Sequence, residues 1–256
     1  MKFTFTGTGT SQGIPVIACK CEVCMSENPK DKRLRTSGVL SHKNTTIVFD
    51  TGPDFRQQML VNHIDEVNAI VFTHKHKDHT AGLDDVRAYN YHYRRHMPIY
   101  ADHSTIEHLN KEYYYIFENQ DYPGIPKLEL EEIFPLQPFE VGDISLQPIP
   151  IMHGNLQILS FRVADFAYVT DAKVIPEASK EKLQGLDTLV LNALRHKAHH
   201  SHLTLSEALE VIEELKPKKA YLTHISHLLG KHDEVSATLP ENVFLAYDGL
   251  QLEWED

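Results

Sequence analysis

The residues best suited to chemistry are packed most densely at Thr73-His74-Lys75-His76-Lys77-Asp78-His79, where three imidazoles and a carboxylate follow within six positions. In extended backbone alternate side chains share a face, so His74 and His76 can reach one ion together. Asp78 and His79 come where the chain turns and can face a second ion beside the first. Nitrogen and carboxylate donors of this kind suit zinc, manganese or iron. A solvated polar loop also uses His, Lys and Asp, but seldom at such density.

A second group is Cys19-Lys20-Cys21-Glu22-Val23-Cys24, a C-x-C-x-x-C. Three thiolates at this spacing need one further ligand to close a tetrahedral structural zinc. The chain has three cysteines, which cannot all pair, so metal binding or reactive thiols are expected rather than disulfides.

The elements that must position these groups follow from the apolar pattern. Residues 69–72 form a short buried strand that runs into His74. Three more apolar runs each stop at one metal-competent residue: 147–152 at His153, 166–170 at Asp171 and 219–223 at His224. A lone His or Asp after a strand is commonly a turn residue. Four such ends together point to one binding edge.

Elsewhere the pattern predicts a strand at 2–6 ending in the Gly-rich turn 7–13, which serves chiefly as a strand connection. A hairpin is expected over 39–49, after which Asp50-Thr51-Gly52-Pro53-Asp54 breaks the pattern. Helices are expected over 55–62, 80–89 and, capped by Ser104-x-x-Glu107, from 104 to about 117. Residues 123–150 read as short strands with turns. Thr204-x-x-Glu207 caps an amphipathic helix over 205–215, stopped by Pro217. The tyrosine-rich segment 88–122 reads as a helical insertion used for packing or a subunit interface, with a substrate-covering lid as the sharper alternative. Just before the capped helix, His196 to His202 is either a solvated loop or the source of a catalytic imidazole.

Composition narrows the function. The chain is 41% hydrophobic and carries a formal charge of −11, which argues against an extended nucleic-acid surface. It leaves room for a small anionic substrate drawn to bound metal. Residues 1–13 lack the basic start and apolar run of a signal peptide, and no stretch approaches a membrane span. A soluble cytoplasmic protein of one continuous domain, 1–256, is the expectation, with a homodimer left open.

THKHKDH matches the H-x-H-x-D-H motif of the metallo-β-lactamase superfamily, and His153, Asp171 and His224 match its remaining ligands in order. The resemblance implies an α/β fold, the four-layer αββα sandwich, with two divalent ions (zinc or manganese) on one edge. It implies that His74, His76 and His153 hold one ion and Asp78, His79 and His224 the other, with Asp171 and a hydroxide bridging. The cysteines make the chain similar, more narrowly, to the phosphodiesterases of the carbon–phosphorus lyase pathway, which cleave a phosphoribosyl 1,2-cyclic phosphate. Members of that family complete the cysteine zinc with a histidine three residues after the last active-site histidine, here His227. They also use a histidine before the capped helix as proton donor; HSHLTLSEAL points to His202, with His199 and His200 as alternatives. Asp78 and His202 are thus the catalytic candidates, Asp78 or Asp171 orienting the nucleophile. Arg35 and Arg87 could pair with substrate anions but fit surface ion pairs better. The implied activity is hydrolysis of a small phosphate ester, cyclic esters included. A tRNA 3′-processing endoribonuclease and a thioester or lactone hydrolase remain alternatives on the same fold.

Overall fold

A computed structural model describes residues 1–118 and 124–255. Its strands are β1 (Lys2–Gly7), β2 (Ser37–His42), β3 (Thr45–Phe49), β4 (Ala69–Val71), β5 (Met97–Ala101), β6 (Leu128–Glu132), β7 (Phe139–Val141), β8 (Ile144–His153), β9 (Leu156–Val163), β10 (Phe166–Val169), β11 (Thr188–Asn192), β12 (Lys219–Thr223), β13 (Val243–Leu245) and β14 (Gln251–Glu253). The helices are α1 (Phe55–Val61), α2 (Lys77–Thr80), α3 (Arg87–Tyr93), α4 (His103–Glu112), α5 (Tyr114–Glu118), α6 (Glu177–Lys182), α7 (Leu205–Leu215) and α8 (His232–Ser236).

Two seven-stranded sheets run in the orders β14-β1-β2-β3-β4-β5-β6 and β13-β12-β11-β10-β9-β8-β7. Period-two alternation splits the central strands between two cores. Phe3, Phe5, Ile47, Phe49, Ala69 and Val71 meet Phe161, Phe166, Tyr168 and Val190 between the sheets. The intervening residues face outward: Val48 and Ile70 pack with Phe55, Val86 and Leu109 of the first helical layer. Leu189, Leu191, Ala220 and Leu222 pack with Ala208, Ile212 and Val235 of the second. Burial on both faces is why the central strands read as continuous apolar runs. The layers are α, β, β, α, as the motif implied.

Strands β3 to β6 are mutually parallel, and so are β10 to β13. Strand β9 is antiparallel to both β8 and β10, so β8 runs with β10. The carboxyl ends of β3, β4, β8, β10 and β12 therefore converge on one edge, and Leu159 donates its N–H to Thr73 O at 3.0 Å, joining the sheets beside it.

Three local expectations are corrected. The helix expected over 80–89 is broken: α2 ends at Thr80, a 3₁₀ turn covers Leu83–Val86, and α3 begins at Arg87. A Cβ on Gly82 would stand 2.1 Å from Gly52 O, so the chain there is pressed too closely against the β3–α1 turn to continue as one rod. The helix expected from Ser104 is capped instead by Asp102, whose side chain accepts from Thr105 N, and it breaks at Tyr113 before α5. Segment 88–122 contains β5 as well as helices; its residues 119–122, with Pro123, lie outside the described residues. Its tyrosine hydroxyls Tyr89, Tyr93 and Tyr113 bond to the carbonyls of Ile64, Asp65 and Thr80, in keeping with packing. The capping box at Thr204 is present as expected, with Glu207 answering Thr204 N at 2.8 Å.

Candidate metal centre

Four strand ends deliver the donors. The turn after β4 places His74 and His76 with His153 from β8, and their ring nitrogens lie within 4.8 Å of one another. The first turn of α2 places Asp78 and His79 with Asp171, after β10, and His224, after β12, in a second group of the same compactness. All seven residues expected at a dinuclear site are thus brought together. Asp50, Asp171 and His224 adopt left-handed backbone, with φ of 62°, 61° and 54°. Each such residue costs about 1–3 kcal/mol, so the surrounding structure must hold all three.

Hydrogen bonds fix which ring atom of His153, His74 and His79 faces the site. His153 Nδ1 lies 2.9 Å from both Asp171 O and Ser201 O, leaving Nε2 free. Thr73 Oγ1 meets His74 Nδ1 at 3.0 Å, and His74 Nε2 lies 3.1 Å from His76 Nδ1. His79 Nδ1 lies 2.7 Å from Asp50 Oδ2. Asp171 divides its oxygens: Oδ2 lies 3.4 Å from His79 Nε2, and Oδ1 lies 3.3 Å from His224 Nε2 and 3.6 Å from His202 Nδ1. The Asn192 amide clamps Ala172, accepting from its N–H at 2.7 Å and donating to its carbonyl at 3.0 Å.

Electrostatics test whether these residues suit metal. Burial holds His74, His76 and His224 below the usual imidazole range. Burial opposes the Asp171 and Asp78 charges, yet His224 and His79 for the first, and His79 for the second, hold both carboxyls well below the usual range. Neutral imidazoles and ionised carboxylates are the forms that bind metal. His79 alone is pushed up: burial works against its charge, but Asp171, Asp50 and Asp78 surround it with negative charge that a cation would answer. His79 Nε2 and both His224 nitrogens are buried without a hydrogen-bond partner. The donor set fits divalent ions.

Cys19, Cys21 and Cys24 close on His227, whose Nδ1 lies 3.4, 3.3 and 3.6 Å from the three Sγ atoms. A tetrahedral zinc with Zn–S of about 2.3 Å and Zn–N of about 2.0 Å has S···N edges of about 3.5 Å, so this group fits as well. The Cys24 N–H draws the Cys21 thiol down to about 6, whereas burial pushes Cys24 up to about 11. Between the two groups, Ile225 is paired with the Gly-rich turn: its N–H donates to Thr8 O at 2.9 Å and its carbonyl accepts from Thr10 N at 3.1 Å.

Of the three candidate acids, His202 sits at the site, with ring centroids 4.6 Å from both His153 and His224. Burial pushes it down to about 3, with Asp171 pulling the other way. The His199 ring lies 5.1 Å away and His200 is exposed. Arg35 pairs with Asp54 at 2.9 Å and Arg87 with Asp84 at 3.0 Å, the surface role favoured for both. Asp50 was not anticipated. It also accepts from Thr73 N at 2.8 Å, and its signal, an acid ending the apolar run 46–49, matched that of Asp171.

The Beta-lactamase superfamily domain model matches residues 45–225. A crystal structure of a diphosphatase from the PhnP family is 41% identical, with a TM-score of 0.92, over 99% of this chain and 96% of that one. The chain belongs to the PhnP family of the metallo-β-lactamase superfamily. The fold of this PhnP-family chain is shared by Zn²⁺-bound PqqB from Methylobacterium extorquens, 16% identical at a TM-score of 0.81 over 99% and 100% of the two chains. An octanoyltransferase from Porphyromonas gingivalis is 38% identical over 253 residues, 98% of this chain and 51% of that protein. The chain thus spans about half the length of that curated relative. No helix among the described residues is long and apolar enough to cross a membrane.

Proposed function

We propose that this chain is a metal-dependent phosphodiesterase that hydrolyses a small phosphate ester, cyclic esters included, and works as one catalytic unit. The observation that carries the reading is the convergence of seven His and Asp donors with His202 beside Asp171 on one sheet edge. His74, His76 and His153 would hold one divalent ion, and Asp78, His79 and His224 the other, with Asp171 between them. Two such ions, zinc or manganese, supply charge neutralisation at phosphate and acidify water. Asp78 or Asp171 accepts a hydrogen bond from the attacking water and so aims it at phosphorus. His202, whose protonated form Asp171 favours against burial, passes a proton to the departing oxygen as the phosphorus–oxygen bond breaks. Cys19, Cys21, Cys24 and His227 would hold a structural zinc.

A second reading, cleavage of a diphosphate linkage, draws support from the 41% identical relative described as a diphosphatase. The name octanoyltransferase belongs to a protein about twice as long. A substrate panel with added zinc or manganese separates these readings. It would set a bis-aryl phosphodiester, a five-membered cyclic phosphate, a diphosphate-linked nucleotide, an acyl thioester and a tRNA precursor side by side. Turnover of the phosphodiesters is expected. Turnover confined to the thioester, or to the tRNA precursor, would overturn the proposal.

A further inference from the structure

Lys75 and Lys77 flank His76 between the donors His74 and Asp78, Lys75 in the loop and Lys77 opening α2. Facing them is α4, on which Ser104, His108 and Glu112 fall at i, i+4 and i+8 and form one stripe. Lys75 Nζ donates to Ser104 Oγ at 2.8 Å, and Lys77 pairs with Glu112. His108 keeps its Nε2 buried without a partner; burial first, and then the charge of Lys77, favour its neutral form. Just past the stripe, Tyr113 donates its hydroxyl to Thr80 O at 2.7 Å in a buried contact. Thr80 in turn bonds through its N–H and its hydroxyl to His76 O, each at 3.1 Å.

We propose that α4 is an external clamp on the ligand loop, with Lys75, Lys77 and Tyr113 as positioning residues that set how tightly His74, His76, Asp78 and His79 hold metal. His74, Lys75 and His76 belong to no strand or helix, so no regular ladder orders them. A donor loop that the fold leaves loose must be ordered by the metal itself, and that cost is subtracted from affinity. Exposed pairs such as Lys77–Glu112 are individually weak. The buried Thr80 carbonyl, by contrast, would lose its tyrosine partner outright. The clamp rests on reading this loop as a metal site, but on no particular substrate.

The test is metal affinity measured by chelator competition on the full-length protein, with the cysteine site as internal control. Cobalt substitution distinguishes the two sites, because only the cysteine site gives a thiolate charge-transfer band. Lys75→Met and Tyr113→Phe should each weaken the His/Asp site by about tenfold, in the range that outer-shell partners command, and leave the cysteine site unchanged. Ser104→Ala should mimic Lys75→Met, and the double variant should be no worse than either single one. Unchanged affinity at the His/Asp site would overturn the clamp. So would a parallel loss at both sites in step with a falling unfolding midpoint, since that marks general destabilisation. Because no substrate enters the measurement, its outcome is independent of the substrate panel.

Discussion

His79 Nδ1 lies 2.7 Å from Asp50 Oδ2, deep in the fold, which leaves Nε2 to face Asp78 and Asp171 at 3.4 Å each. The carboxylate fixes both the tautomer and the angle of the ring. Asp50→Asn keeps the shape but offers an acceptor without charge. It should weaken metal binding at the His/Asp group by about 10–100-fold, read by chelator competition. Undiminished affinity would mean that the ring is held by packing alone.

His202→Ala should retain its metal and lose about 10²–10⁴-fold in turnover on a diester with a poor leaving group. An activated aryl diester should suffer less, because its departing oxygen needs little protonation. Steady-state rates on the two substrates decide the matter, and equal losses would remove His202 from proton donation.

His227→Ala should lower metal content by one equivalent and reduce the unfolding midpoint, because a closed structural site contributes directly to folding. Metal analysis beside a thermal scan reads both effects. Full metal content in this variant would show that the three thiols act without the imidazole.

Acid stability depends on two groups around buried Arg33, whose guanidinium lies 3.1 Å from His232 Nδ1. Burial and Arg33 push His232 down to about 4 from 6.5, so the unfolded chain binds more protons there and stability falls as pH drops from 6.5 to 4. Burial pushes Asp248 up to about 6 from 3.8, so the folded chain holds the extra proton and stability falls as pH rises through that interval. The two slopes oppose each other. His232→Gln should therefore make the pH dependence of urea unfolding between pH 4.5 and 6 more negative than wild type, and Asp248→Asn should make it more positive. Parallel curves for all three proteins would rule this balance out.

The metal ligands were legible because four crowd into one motif behind the apolar run 69–72 and His153, Asp171 and His224 each end another, and the central strands are buried on two faces, so the runs stand out. Asp50 ends such a run too, but Gly52-Pro53 behind it reads as an ordinary turn. The breaks at Gly82 and Tyr113 fall where the chain meets Gly52 and Thr80, contacts that local periodicity does not encode. Asp102 and Ser104 are both good caps two residues apart, and only the backbone path chooses between them. The closure of the cysteine group by His227 could be foreseen only through likeness to a family, since nothing local links positions so far apart.

That separation imposes an order of events on synthesis. Cys24 precedes His227 by 203 residues and Cys19 by 208, so the thiols emerge long before their imidazole. While those intervening residues are made, the nascent polypeptide carries three sulfurs of an unfinished ligand set, open to oxidants and to stray ions. The fourth donor arrives with β12, next to His224, so one late segment of chain completes both donor groups together.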